Sequence, residues 1–314
     1  MKYGILSGIL WGLDTVVLGI ALSMSPYFGT AEALAFAAIA SSFLHDAFCA
    51  IWLLIIMGVK KRLKDTWRAL NTKSAIVVIL GALLGGPIGM TGYVLAINNI
   101  GPAYTAIISA FYPALGAFLS FVILKERMDK KQIAALLIAL LGVMAMGAIS
   151  AGSTEWGNPV LGLIGALLAV AGWGSEAVLC AWGMKEDAMD NETALQIRET
   201  TSALAYGFIV LPLFGAWSFT TKALPSTATA IMVGSALAGT FSYLMYYKAI
   251  ARIGASKAMA LNISYSAWAV FFGFVLQGTI PTPLTIGCCI AILIGTVLAA
   301  SDWKELFRKQ PASN

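Results

Sequence analysis

Two tryptophan–acid pairs are the residues best suited to chemistry in this sequence. The pattern W-G-x-[D/E] begins at Trp11 and again at Trp173, so Asp14 and Glu176 each follow a tryptophan by three positions. Residues three apart share one face of a helix. A carboxylate beside an indole ring suits an organic cation, because the ring face attracts an ammonium group by about 0.5 to 2 kcal/mol. We predict that these four residues bind substrate across one central cavity.

Packing is the alternative for the same residues. The tryptophans would then fill space between helices, and neighbouring hydroxyl groups such as those of Thr15 and Ser175 would satisfy the acids. Tyrosines at helical spacing extend the candidate substrate site, although such a stripe is also typical of plain helix packing. The candidates are Tyr93, Tyr112, Tyr243 and Tyr246, with Tyr265 and Trp268 of the ninth span as further aromatic candidates.

Further ionisable and flexible positions lie within long apolar runs. His45 is the only histidine and precedes Asp46, so this pair either relays a proton or anchors its helix by a hydrogen bond. Arg198-Glu199 is interpreted as a structural ion pair near the membrane interface, with a substrate ligand as the alternative. Gly86 and Pro87 would weaken helical hydrogen bonding, which predicts a hinge or a close helix contact.

The elements that position these residues follow from the composition. Of 314 residues, 59% are hydrophobic and 11% are charged, against about 25% charged in a soluble domain. A membrane-spanning helix needs about 20 apolar residues. The sequence therefore predicts an all-α integral membrane protein with ten transmembrane helices and excludes a soluble fold. The predicted spans are 3–24, 33–58, 74–97, 102–124, 132–150, 159–182, 194–217, 227–250, 255–276 and 284–301.

The basic residues predict the orientation of these spans. With a cytoplasmic N-terminus, 18 of the 20 Lys and Arg residues fall in cytoplasmic segments and Lys222 alone falls outside. Ten spans then place both termini in the cytoplasm, and we expect the plasma or inner cell membrane. The net charge of +5 is interpreted as a topology signal, so no nucleic-acid partner is expected.

An internal repeat divides the chain. Residues 81–101 align without a gap on residues 234–254, with eight identities that include Gly86/Gly239, Tyr93/Tyr246 and Gly101/Gly254. We predict two five-helix repeats, residues 1–150 and 151–314, which form one transmembrane domain. Because five is odd, the second repeat enters the membrane from the opposite side, and inverted repeats of this kind place a substrate site at their interface near the midplane.

These features resemble a known superfamily. Ten spans in five-plus-five inverted repeats, the Ala-Ile-x-x-Ile-Gly that closes spans three and eight, and Leu124-Lys125-Glu126-Arg127 are similar to the EamA-type drug/metabolite transporters. The second half departs from the family pattern at Leu276-Gln277-Gly278-Thr279, where many members keep an acid. The aromatic and acidic pattern is similar to the choline permease (LicB-like) branch. The resemblance implies movement of small metabolites by alternating access through a central cavity.

The functional prediction is a secondary transporter of a small organic cation, with a choline-like quaternary ammonium favoured. The alternative is an exporter of amino acids or hydrophobic drugs, in which the acids would couple transport to protons. The sequence has no H-E-x-x-H, no phosphate-binding loop and no acidic cluster of metal-ligand spacing, so we expect neither an enzyme nor a cofactor or metal site. Expected partners are the small-molecule substrate, a proton or other coupling ion, and the lipid bilayer.

Overall fold

Ten long helices account for the architecture. The computed structural model describes residues 1–149, 157–186 and 189–301, with the backbone alone described at residues 102, 103 and 186. The helices are α1 (Lys2–Leu22), α2 (Ala31–Val59), α3 (Lys73–Gly101), α4 (Tyr104–Leu124), α5 (Lys130–Ile149), α6 (Pro159–Lys185), α7 (Asn191–Phe214), α8 (Thr227–Ile253), α9 (Ala255–Gln277) and α10 (Pro283–Ala300). No strand occurs in these ranges, and the prediction of an all-α membrane protein is confirmed. The repeat boundary predicted at residue 150 lies outside the described residues.

Nine of the ten helices are long and apolar enough to cross a membrane individually, within the part of the chain that is described. The seventh, α7, meets that criterion only together with the helix Trp217–Ala223, which is bent from it by 117°. The first half of α7 is polar, yet residues 193–199 are all buried. This helix therefore lies inside the bundle, where protein groups replace the lipid contacts that its charges could not tolerate.

Hydroxyl side chains begin several of the helices. The residues Thr30, Thr72, Ser226 and Thr282 each accept a hydrogen bond from the backbone N–H three positions later, at 3.0 to 3.2 Å. These are N-cap contacts, which satisfy N–H groups left free in the first turn. The breaks between spans thus have a local cause in the sequence, and each observed span begins and ends within four residues of its prediction.

The helix pairings are reciprocal between the two halves. Helix α1 packs on α8 and α9, and its repeat counterpart α6 packs on α3 and α4. Helices α2 and α7, which are also counterparts, pack on each other, as do α5 and α10. Gly101 and Gly254 have nearly equal backbone angles, with φ 80° and 86°. A positive φ at both positions explains why each half has glycine there.

The middle of α3 is not a regular α-helix. Leu84–Met90 forms a π-helical segment that contains Pro87. Proline has no N–H to donate to the preceding turn, so the hydrogen-bond ladder is interrupted at this point. The aligned part of α8 has Thr240 in place of the proline and is regular helix. This irregularity therefore has no counterpart in the aligned part of the second half.

An ion-pair cluster joins the end of α2 to the start of α7. The Arg62 guanidinium contacts Asp65, Asp190 and Glu192 at 2.7 to 2.8 Å, and Lys60 contacts Glu192 at 2.6 Å. Asp190 is also the N-cap of α7 and accepts hydrogen bonds from the Glu192 and Thr193 N–H groups. Burial opposes ionisation of Asp190, but hydrogen bonds from Thr193 and Arg62 outweigh it and lower the pKa of the carboxyl group. The ionised form therefore stabilises the fold.

Asp190→Asn should show the pH dependence of this contribution. A carboxyl group whose pKa is lower in the folded state stabilises above its unfolded pKa of about 3.9, and the stabilisation disappears as the pH falls through the folded value. We expect wild type to be more stable than Asp190→Asn at about pH 6, with the difference beginning to shrink near pH 4 and disappearing as the pH falls through the lower pKa of the folded state. Thermal unfolding in detergent from about pH 6 to pH 3 measures this difference in stability.

Asp190→Ala is the companion variant, because alanine removes the cap as well as the charge. It should lose about 1 kcal/mol more than Asp190→Asn, by loss of the N-cap. A difference between wild type and Asp190→Asn that stays constant from about pH 6 to pH 3 would contradict the assignment.

Candidate functional site

A half-open cavity of about 360 Å³ lies among α3, α4, α5, α6 and α9. Four aromatic side chains line it, namely those of Tyr93, Tyr112, Trp173 and Tyr265. The remaining lining is mostly small or apolar, including Ala106 and Gly147. Ligand cavities commonly have about 300 to 1,000 Å³ and a mainly apolar wall with a few polar groups. The cavity therefore has the size and surface for a small organic molecule.

Each tryptophan of the repeated motif contacts a tyrosine of the other half. Trp173 lies 6.0 Å from Tyr112 between ring centroids, and Trp11 lies 5.9 Å from Tyr265. Tyr112 and Tyr265 occupy equivalent positions in the repeat, so these are the same contact made twice. Trp173 also contacts Tyr93 at 5.2 Å. Trp173 lines the cavity, whereas Trp11 contacts the lining residue Tyr265 without lining the cavity itself.

Asp14 is buried against polar groups of two other helices. Its carboxylate lies 3.1 Å from His45 Nε2 in α2 and accepts a hydrogen bond from the Ser235 hydroxyl in α8. Gly239 allows this approach, because a Cβ at that position would lie 2.9 Å from Asp14 Oδ2 and 3.1 Å from His45 Nε2. The hydroxyl next to Asp14 in the chain, Thr15, instead donates to the Trp11 carbonyl.

Glu176 is buried against Arg198. Arg198 Nε donates to Glu176 Oε1 at 2.5 Å, and Nη1 lies 3.8 Å from Asp46 Oδ2. Asp46 also accepts a hydrogen bond from the Ser202 hydroxyl at 2.5 Å and lies 3.8 Å from His45 Nδ1. Gly85 gives room for the Glu176 carboxylate, which occupies the space that a Cβ would need.

His45 connects the two acidic centres into one cluster. One ring nitrogen faces Asp14 and the other faces Asp46, which in turn faces Arg198. The chain of contacts runs from Ser235 in the second repeat through Asp14 and His45 to α7. We call this the polar cluster, and it consists of Asp14, His45, Asp46, Glu176, Arg198 and Glu199. It crosses from one repeat to the other.

Glu199 is the least satisfied member of the polar cluster. Its side chain has no exposed surface, and Arg198 Nη1 lies 2.9 Å from Oε1. Neither carboxylate oxygen receives a hydrogen bond from the described part of the chain. A buried carboxylate normally has several hydrogen-bond donors. A proton or cation at Glu199 would therefore supply a partner that its oxygens lack among the described residues.

The charges of the polar cluster do not balance. It holds four carboxyl groups but one guanidinium and one imidazole, so ionisation of all six would leave a net charge of about −2. Uncompensated charge inside a membrane protein is strongly unfavourable. The arrangement therefore favours uptake of protons or a positively charged ligand.

The structure differs from two expectations about this region. Asp14 and Glu176 do not face each other across the cavity and are not among its lining residues, because each turns toward a basic partner. His45 lies closer to Asp14 than to its neighbour Asp46, and a proton relay through this pair stays a prediction. Arg198 lies in the interior and not near the interface, with 4% of its side chain exposed. Its attraction to Glu176 provides the compensation that a lipid-facing position could not.

The tyrosines of α8 lie apart from the cavity wall. Tyr243 contacts Trp11 at 4.8 Å, and its ring lies 5.0 Å from the Arg198 guanidinium carbon. Tyr246 is buried beside Tyr247 at 6.2 Å. Neither lines the cavity. Tyr243 thus connects the tryptophan of the first repeat to the polar cluster, and a direct substrate contact for either residue stays a prediction.

The predicted hinge at Gly86 and Pro87 coincides with the π-helical segment of α3. A Cβ at Gly86 would collide with the Ser202 hydroxyl, and the Tyr206 hydroxyl donates to the Gly86 carbonyl at 3.4 Å. The segment is therefore both irregular and closely packed against α7. Movement at this point stays a prediction.

Glu126 binds the backbone at the start of α9. Its carboxylate accepts hydrogen bonds from the Ala255 and Ser256 N–H groups at 3.2 and 3.1 Å, and Lys185 lies 3.5 Å away. Glu126 follows the end of α4, whereas the cavity lies toward the start of α4 and the end of α5. The bundle is therefore held together at the end opposite the cavity.

Inverted five-helix repeats, short loops and an aromatic cavity at the helix interface define a multi-pass membrane protein of the transporter class. Sequence comparison agrees: the family model of the "EamA-like transporter family" matches residues 1–148 and 160–301. The chain belongs to this family. The resemblance stated from the sequence is thereby confirmed, and a family of transporters implies a small-molecule substrate.

Individual relatives agree with the assignment. The chain is 29% identical over 303 residues to Protein LicB of Haemophilus influenzae, which covers 94% of this chain and 95% of that protein. A protein of known crystal structure superposes with a TM-score of 0.72 over 95% of both chains. Its identity of 17% makes this a likeness of fold.

Proposed function

We propose that the protein is a secondary transporter of a small organic cation, with a choline-like quaternary ammonium as the favoured substrate. The observation that carries the proposal is the aromatic wall of Tyr93, Tyr112, Trp173 and Tyr265 around a cavity of about 360 Å³. Ring faces attract a quaternary ammonium, which has no N–H to donate. Exporters of amino acids or hydrophobic drugs with this fold are the alternative.

The polar cluster would supply the negative potential. Glu176 follows Trp173 by one helical turn, and charges in a low-dielectric interior act over longer distances than in water. The excess of carboxyl groups over basic groups makes the region attractive to cations. An exchange of protons for substrate would also use this excess, so we assign proton coupling to His45 and Asp46.

Alternating access would use the two ends of the bundle. The cavity lies toward the end that the distribution of basic residues places outside, and Glu126 holds α4, α6 and α9 together at the cytoplasmic end. Release of the Glu126 contacts would open the opposite end. Both termini are cytoplasmic in this arrangement, in the plasma or inner cell membrane, and the repeats 1–150 and 151–314 move relative to each other.

Trp173→Leu tests the substrate site. Loss of one aromatic face should lower the affinity for choline by about 2- to 30-fold, equivalent to about 0.5 to 2 kcal/mol. Calorimetry on detergent-purified protein measures the affinity, and Trp173→Phe should keep part of it. Trp67→Leu is the control, because Trp67 lies on the short helix Leu63–Ala69 and is 74% exposed.

The uncharged carbon isostere of choline separates the candidates. It has the shape of choline without the charge, so a cation site should bind it much more weakly. Equal affinity for both ligands, or unchanged choline affinity in Trp173→Leu, would count against the organic-cation proposal. Competition by aromatic amino acids or hydrophobic drugs would then favour the alternative.

A further inference from the structure

Three basic side chains converge on one aromatic ring at the end of the bundle away from the cavity. Lys248 Nζ lies 4.7 Å, the Arg252 guanidinium carbon 5.0 Å and Lys2 Nζ 5.3 Å from the centroid of the Tyr3 ring. Lys2 and Tyr3 begin α1, and the other two lie in the last turns of α8. The ring belongs to the interface of these two helices.

The convergence is electrostatically unfavourable without an anion. Since each cation lies within 5.3 Å of one centroid, no two can be more than about 10 Å apart, which is the Debye length at about 0.1 M salt. Lys248 and Arg252 are also four residues apart, where like charges destabilise a helix. No ion pair to a carboxylate is found for these three cations in the described ranges of the chain.

Attraction to the Tyr3 ring explains only part of the convergence of the three cations. A single cation gains about 0.5 to 1 kcal/mol from an exposed ring face, while three cations share this one ring and repel each other. A preference for cytoplasmic Lys and Arg would explain their presence at this end but not their convergence, because separate side chains at helix ends can diverge into water. A negative ligand that bridges the three groups would explain both.

We infer that Lys2, Lys248 and Arg252 form, around Tyr3, a binding site for a phosphate-bearing anion. A lipid phosphodiester is one source of this chemistry, because juxtamembrane basic clusters attract anionic headgroups. Free phosphate is the other source. The site bridges the first and second repeats through α1 and α8, so its occupancy stabilises their packing.

Titration of the detergent-purified full chain with phosphatidylglycerol tests the site, with phosphatidylethanolamine as the lipid without net charge. Thermal unfolding and native mass spectrometry report binding. Each cation that contacts the bound headgroup should contribute about a fivefold factor in affinity, so K248Q/R252Q should bind phosphatidylglycerol about 25-fold more weakly. K248Q alone should bind phosphatidylglycerol about fivefold more weakly. This single variant provides the test if the double variant does not fold.

K64Q/R68Q is the matched control. Lys64 and Arg68 are likewise four apart, exposed and on the same side of the bundle, but within the described part of the chain they do not converge on one ring. This variant should keep wild-type affinity, as should Y3F, whereas Y3L should lose affinity. Inorganic phosphate that reproduces the stabilisation, with the same loss in K248Q/R252Q, would identify a soluble anion as the ligand. Equal affinity in wild type and K248Q/R252Q, or an equal loss in K64Q/R68Q, would overturn the inference.

Discussion

Arg198→Met should lower the free energy of unfolding by about 3 to 5 kcal/mol and abolish transport. Arg198 is the shared partner of Glu176, Asp46 and Glu199, and it lies 2.5 Å from Glu176 and 2.9 Å from Glu199. Removal of one partner of a buried pair leaves uncompensated charge in the interior, and the loss is of this size. Unfolding by SDS or heat in detergent, together with uptake into liposomes, provides the measurement.

Two further variants make this result specific. Lys222→Met removes a cation whose partner Glu32 is also exposed, and such surface pairs contribute about 1 kcal/mol or less. The double variant Arg198→Met/Glu176→Gln removes both the cation and its nearest carboxylate, so part of the lost stability should return. A double variant less stable than Arg198→Met alone would contradict the pairing of Glu176 with Arg198.

Gly239→Ala should impair transport by at least about tenfold while the protein still folds. The added Cβ would lie 2.9 Å from Asp14 Oδ2 and 3.1 Å from two atoms of the His45 ring. Asp14 and His45 must therefore separate, which breaks the contact between α1 and α2 at the centre of the polar cluster. Overpacking of this kind costs about 1 to 3 kcal/mol. Uptake driven by a pH gradient is the measurement that reports on the coupling assigned to His45.

Gly234→Ala is the control in the same helix. A Cβ at Gly234 meets no atom within 4 Å, so this variant should keep transport and wild-type stability or slightly exceed it. Equal loss of transport in the two variants would mean that α8 needs flexible glycines in general. Retained transport and unchanged pH dependence in Gly239→Ala would contradict a role for the Asp14–His45 contact.

The helices were predictable because lipid imposes a strict rule on sequence. A span needs about 20 apolar residues, and charge, proline and hydroxyl caps mark its ends. The start of α7 was predicted three residues late, at residue 194 where the helix begins at Asn191, because its first half is polar. That error placed Arg198 close to the interface. Arg198 could still have been recognised from the sequence, because ionisable residues within a membrane span are functional candidates.

Repeated chemistry was also visible in the sequence. The spacing of Trp11 and Asp14, and of Trp173 and Glu176, predicted two equivalent helix faces. The equivalent contacts Trp11–Tyr265 and Trp173–Tyr112 follow that symmetry. The partners of the two acids do not follow the symmetry, because Asp14 contacts His45 whereas Glu176 contacts Arg198. Repeat symmetry constrains backbone positions, whereas each half supplies its own side chains.

The membrane fold, its spans and the pairing of tryptophans with acids could be predicted from the sequence, because these depend on composition and on spacing along one helix. The turning of the acids into a shared polar cluster, with an aromatic cavity beside it, became visible in the folded bundle. That outcome depends on contacts among α1, α2, α6, α7 and α8, which are far apart in the chain. It depends as well on glycines such as Gly85 and Gly239, where the missing Cβ gives a carboxylate its space.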